Sequence, residues 1–183
     1  MPPVLPYPVF IDSHVIGGFG RGSSDLGIPT ANIPPSDFLA SGIPKGQTGI
    51  YFGFAKISGT YGTLVRHPSP EDDASKPPST EIVQTEKPIL PADGVVLPMV
   101  MSVGWNPFYG NSEPSAEVHI VHKFVDQFYG ADIKLAVLGY IRPEKNFESV
   151  DALIEEIMTD IRKSKEYLAE DGFKQIESSE FFK

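Results

Sequence analysis

Gly49-Ile50-Tyr51-Phe52-Gly53-Phe54-Ala55-Lys56-Ile57 is a run of aromatic and β-branched residues bounded by Gly and Ser, the pattern of a strand. Similar runs flank it: Tyr7 to Ile16 before it, then Met99 to Trp105, Glu117 to Phe124 and Ile133 to Ile141 after it. Five or six strands thus precede any clear helix. That order favours an antiparallel sheet or a small closed barrel over βαβ units. The helix comes last. Val150, Leu153, Ile154, Ile157, Met158, Ile161 and Leu168 recur at helical spacing, and Ser149 stands ready as an N-cap. Asp151, Glu155 and Glu156 lie early and Arg162, Lys163 and Lys165 late, as the helix dipole favours. The apolar stripe is expected to pack on the sheet.

Between Arg66 and Pro98 the composition shifts. Pro68, Pro70, Pro77, Pro78, Pro88 and Pro91 alternate with Ser, Thr, Glu and Asp, so residues 66–98 read as a long, partly disordered insertion between two strands. The 183 residues otherwise suit one domain with a sizeable core, 1–183. A formal net charge of −9 argues against nucleic acid or an anionic membrane as the main partner. With no cysteine, disulfides, thiolate catalysis and Cys-based zinc sites are excluded. No apolar run is long enough to span a membrane, and the first residues show no targeting pattern. The expectation is an intracellular, cytoplasmic protein, with organelle association left open.

Gly17 to Asn32 carries the first chemical signal. Gly18, Gly20 and Gly22 surround Arg21, and the loop runs on through Ser24 into Pro29-Thr30-Ala31-Asn32. Glycines let backbone N–H groups approach and cradle an anion. In an extended segment Thr30 and Asn32 project to one side, presenting two hard oxygen donors suited to Mg²⁺ beside a polyphosphate. The pattern is neither a dinucleotide fingerprint nor a Walker loop. Taken alone, the glycine run reads first as a wide turn between two strands with Arg21 solvated.

The second signal is Glu117-Val118-His119-Ile120-Val121-His122. On a strand Glu117 and His119 share a face, whereas His119 and His122 point to opposite faces and cannot share a zinc ion. Gly104-Trp105-Asn106-Pro107-Phe108-Tyr109-Gly110-Asn111 is an aromatic turn that either walls a flat ligand or caps the core. Arg142 and Lys145, between the last strand and the helix, either pair with surface carboxylates or line a cleft.

In combination these stretches resemble the eukaryotic riboflavin kinases. The resemblance rests on Gly18-Phe19-Gly20-Arg21-Gly22-Ser23 with Leu26-Gly27-Ile28-Pro29-Thr30-Ala31-Asn32, then Thr48-Gly49-Ile50-Tyr51 and Val103-Gly104-Trp105-Asn106-Pro107. It continues in Glu117-Val118-His119-Ile120, Phe128-Tyr129-Gly130 and Gly139-Tyr140-Ile141-Arg142-Pro143-Glu144-Lys145-Asn146-Phe147. Many motifs in one order are far more specific than any one of them. The resemblance implies an all-β fold with a C-terminal helix: a six-stranded antiparallel Greek-key β-barrel carrying one long Pro-rich inserted loop. It implies transfer of the γ-phosphoryl of ATP to the ribityl 5′-hydroxyl of riboflavin, giving FMN and ADP.

By the same resemblance, Glu117 matches the catalytic carboxylate and Thr30 with Asn32 the metal positions. The ion would be Mg²⁺, with Zn²⁺ or another divalent ion as the alternative. Gly18, Gly20, Arg21, Gly22, Ser24 and Thr30, with Ile120, His122 and Tyr129, fall on the nucleotide side. Arg142, Lys145 and Phe147 fall on the flavin side. The expected partners are riboflavin or FMN and ATP or ADP, bound by a monomer. A non-catalytic flavin carrier on the same barrel is the rival reading, and it has no need of a base.

Overall fold

The computed structural model describes residues 4–17, 26–44, 46–67, 79–88, 94–105, 113–124 and 127–183. Strands β1 (Val4–His14), β2 (Ala31–Ile33) and β3 (Gly49–Ser58) come first, with a short helix α1 (Pro35–Ala40) between the last two. Then follow β4 (Thr60–His67), β5 (Ser79–Pro88), β6 (Val96–Gly104), β7 (Ser115–Ile120) and β8 (Asp132–Arg142). Helices α2 (Val150–Leu168) and α3 (Asp171–Glu177) close the chain, with a final 3-10 turn over Glu180–Phe182. Among the described residues, no helix is long and apolar enough to cross a membrane.

Six strands form one antiparallel sheet in the order β1-β8-β3-β6-β7-β2, curled until its edges meet. The meeting point is a bridge between Ile16 and Asn32, where the Ile16 N–H donates to the Asn32 carbonyl at 2.9 Å. Tight curling needs close backbone approach. At Gly53 a Cβ would lie 1.9 Å from the Ala136 carbonyl oxygen, beside the register shift between β3 and β8. Only glycine fits there.

Period-two alternation sorts the side chains into two cores. Ala31, Ile33, Tyr51, Met99, Met101, Val103, Ala116, Val118 and Ile120 fill the inside of the curl. Phe52, Phe54, Ala136 and Leu138 lie on its outside, under Leu168 and Phe182. The terminal aromatics therefore dock. Phe182 is buried, and its carbonyl accepts from Lys56 Nζ. Phe181 lies 4.6 Å from the Phe10 ring.

Three elements differ from expectation. Within the Pro-rich 66–98 stretch, residues 79–88 form β5, paired with β4 as a two-stranded ribbon tied to the barrel through Gly62 and Tyr129. Alternating Thr, Ile and Val between charged residues had enough β character to pair once β4 offered an edge. Strand β7 ends at Ile120 rather than Phe124, because the His122 N–H turns back to the Ile120 carbonyl at 2.8 Å. The α2 stripe packs only in part: Ile161 and Leu168 are buried, while Val150 and Met158 are exposed at 57% and 54%.

Candidate active site

The rest of the α2 stripe faces space. Leu153 and Ile157 roof a cavity of about 620 Å³ between α2, the β8–α2 connection, the segment leading into β2 and the outer face of β6 and β7. Its floor is a single cross-strand row. Glu117 on β7 stands opposite Ser102 on β6, Ser102 opposite Ile50 on β3, and Ile50 opposite Arg142 on β8; Asn32 on β2, outside the cavity lining, pairs with Glu117 from its other side. Directly paired residues share a face, so the row points away from the inner core.

Glu117 sits near one end, half-buried between the core residues Ala116 and Val118. Burial pushes its carboxyl above the ordinary range, and a hydrogen bond from the Thr30 hydroxyl at 3.4 Å opposes that rise. A carboxylate with a raised pKa is a better proton acceptor near neutral pH than a solvated one. His119, two residues along the same face, also lines the cavity, and its Nδ1 meets the Pro29 carbonyl at 2.8 Å. Burial lowers the His119 pKa, against the opposing pull of that carbonyl. The contact ties the Pro29–Thr30 segment to β7 just before β2 begins.

At the far end the Arg142 guanidinium is buried and already engaged. Its Nη2 lies 2.7 Å from Asp160 Oδ2, its Nε 3.2 Å from Glu156, and its Nη1 donates to the Pro143 carbonyl at 3.0 Å. Its remaining face looks toward the Phe147 ring at 5.9 Å. Lys145, more exposed, pairs with Glu156 at 2.7 Å, and that contact holds the Glu156 carboxyl below its usual range. Both readings of Arg142 thus meet in one place: it pairs with carboxylates while it walls a cleft.

The structure brings Thr30, Asn32 and Glu117 together and sets Thr30, Glu117, Arg142, Lys145 and Phe147 along the cavity, whose lining does not include Asn32. Ile120, His122 and Tyr129 do not line it. Ile120 is in the inner core, His122 stacks on Phe124 at 4.9 Å, and the Tyr129 carbonyl receives the Gly62 N–H. Among the described residues, His122 Nε2 is buried without a hydrogen-bond partner. Gly18, Gly20, Arg21, Gly22 and Ser24 lie outside the described residues, as do Asn106 to Asn111 of the aromatic turn. Ser102, Leu153, Ile157 and Asp160 were missed as cavity residues. Their spacing is that of ordinary strand and helix packing, and only the register reveals them.

The cavity lining is chiefly apolar, with Glu117, Glu144 and Asp160 as its carboxylates; Asp160 is taken up by Arg142, and Glu117 contacts the neutral Thr30 hydroxyl. Comparison with known proteins gives the family. The family model for riboflavin kinase (flavokinase) matches residues 5–168. The chain is 48% identical over 172 residues to a riboflavin kinase of Scheffersomyces stipitis, covering 93% of this chain and 90% of that one. It is 49% identical over 160 residues to a riboflavin kinase of Yarrowia lipolytica, covering 87% and 81%. In fold it is similar to the crystal structure of riboflavin kinase from Trypanosoma brucei. There the TM-score is 0.64 at 22% identity, covering 98% of this chain and 89% of that one.

Proposed function

The chain belongs to the riboflavin kinase family and makes FMN from riboflavin and ATP; we propose that it does so along the row that begins at Asn32 and Glu117. One observation carries the assignment. Among the described residues, the only cavity-lining carboxylate with a pKa raised by burial, Glu117, contacts the Thr30 hydroxyl and stands directly across from Asn32. Glu117 takes the proton from the ribityl 5′-hydroxyl as that oxygen attacks the γ-phosphorus of ATP. The isoalloxazine ring occupies the apolar end, between Leu153, Ile157 and Phe147, with Lys145 at the rim. The nucleotide approaches from the Asn32 side, where Gly18, Gly20, Arg21, Gly22 and Ser24 would hold its phosphates and His122 and Tyr129 would flank it, while Ile120, in the inner core, would shape that end from behind. The spatial order β8-β3-β6-β7, three successive strands with the next returned beside the first, supports a Greek-key path.

The donor set fits a hard divalent ion. The Thr30 hydroxyl and the Asn32 amide oxygen are both oxygen ligands, lying beside a carboxylate, and they suit Mg²⁺ better than Zn²⁺. Bound there, the ion would neutralise charge on the transferring phosphoryl group. Two neutral donors hold such an ion weakly without phosphate oxygens. Calorimetry is therefore expected to show weak Mg²⁺ binding to the free protein and strong binding with ATP present. Tight binding without nucleotide would count against Thr30 and Asn32 as the metal pair.

The direct test is chromatographic separation of flavins after incubation with riboflavin, ATP and Mg²⁺. FMN is expected only when protein, nucleotide and metal are all present. Riboflavin that binds but is never phosphorylated, with Mg²⁺, Zn²⁺ or Mn²⁺, would make the chain a flavin carrier.

A further inference from the structure

Along the row from Glu117 to Arg142 the floor offers Ser102 and then Ile50. Ser102 is thus the one polar side chain between the carboxylate and the guanidinium on that line. It is half-buried and lines the cavity, and its hydroxyl makes no hydrogen bond among the described residues. Its neighbour on the same face of β6, Val100, is apolar and buried. His119, the other nearby polar group, has its Nδ1 committed to the Pro29 carbonyl. When a ligand displaces water from this floor, the Ser102 hydroxyl needs a partner on the ligand, because a buried unpaired hydroxyl is costly.

The ligand's own geometry supplies one. Adjacent strands lie about 4.8 Å apart, so Ser102 is one strand closer than Glu117 to the apolar end. A substrate with its terminal hydroxyl at Glu117 and its ring near Phe147 must lay the linking chain across β6. In riboflavin that chain is a polyol. We propose that the Ser102 hydroxyl binds a secondary hydroxyl of the ribityl chain, holding the terminal hydroxyl at Glu117 and selecting flavins whose side chain is a polyol. The proposal rests on the reading of Glu117 as the base. It adds a contact that the motifs do not mark.

The test pairs two proteins with two substrates. Riboflavin is compared with a flavin bearing a 5-hydroxypentyl chain, which keeps the ring and the terminal hydroxyl but lacks every secondary hydroxyl. Ser102→Ala is expected to lower kcat/KM for riboflavin by about tenfold, the effect of one hydrogen bond. With the pentyl flavin it should change kcat/KM by less than about twofold, because that contact is already missing. Ser102→Thr, which keeps a hydroxyl on a strand-compatible side chain, should restore most of the riboflavin activity. Unchanged kcat/KM for riboflavin, or equal losses with both flavins, would overturn the proposal. Glu117→Gln run alongside separates the two readings. Near-normal turnover in that variant sinks the base, whereas the Ser102 contact is judged by the difference between the two flavins.

Discussion

Glu117→Gln is expected to lower turnover by about 10²-fold or more while ATP affinity stays close to that of the unchanged chain. An alcohol is a poor nucleophile until its proton leaves, and Gln keeps the size and the hydrogen-bond reach of Glu without accepting that proton. The substitution leaves the sheet intact, since Glu117 faces outward from a strand whose inner neighbours, Ala116 and Val118, hold the core. Stability responds in the opposite sense. Burial raises the Glu117 pKa above its ordinary value of 4.5. Between that value and the raised one the folded state binds more protons than the unfolded, so stability falls as pH rises through the window. Gln carries no such proton. The unfolding midpoint of the variant, measured against that of the unchanged chain, should therefore gain most at neutral pH and least near pH 4. A variant that kept normal turnover would remove Glu117 from the base role, and one that lost stability at pH 7 relative to pH 4 would contradict a carboxyl pKa raised by burial.

The strands and the last helix were legible because their signals are local. The aromatic and β-branched run at Gly49–Ile57 and the stripe from Val150 to Leu168 state their periods without help from elsewhere in the chain. Alternation also placed Glu117 and His119 on one face, and Thr30 and Asn32 on one side. Both pairings hold, with the odd-numbered or even-numbered neighbours between them buried in the inner core. What alternation could not supply was register. Glu117 stands across from Asn32 on one side and Ser102 on the other, residues that are 85 and 15 positions away along the chain. Nothing local to Ser102 separates it from any other strand serine.

The helix hid the other half of the site for a similar reason. Leu153 and Ile157 obey the same period as Ile161, yet Ile161 packs while they roof the cavity. Amphipathic spacing reports that a face is turned from water, and a ligand pocket satisfies that as well as a core does. Arg142 shows the converse. The family resemblance put it on the flavin side, whereas it closes β8 and most of its hydrogen-bonding capacity goes to Asp160 and Glu156. The alternatives were not exclusive, because pinning α2 is what makes the wall.

Asp160→Ala tests that pin and is expected to be severe. Asp160 is 2% exposed and takes three contacts of 2.7–3.1 Å from Arg142, itself 9% exposed. Removing the carboxylate leaves a buried guanidinium with Glu156 alone, at 3.2 Å from Nε, as its charge partner. Stranding a buried charge in this way costs about 3–5 kcal/mol. In a chain of this size that lowers the unfolding midpoint by roughly 10 °C. The damage should also reach the substrate. The ion pair and the Ser164 hydroxyl, which donates to the Met99 carbonyl at 3.1 Å, hold α2 against β8 and β6. Loss of the ion pair frees the turn that carries Leu153 and Ile157, so KM for riboflavin should rise more than KM for ATP. Replacing both partners, Arg142→Met with Asp160→Leu, removes the stranded charge and fills the space. That double variant should recover most of the stability, since well-packed apolar pairs often match a buried ion pair. If it unfolds as early as Asp160→Ala, the loss lies in packing rather than charge. If Asp160→Ala unfolds with the unchanged chain, the pair is not what holds the helix over the cavity.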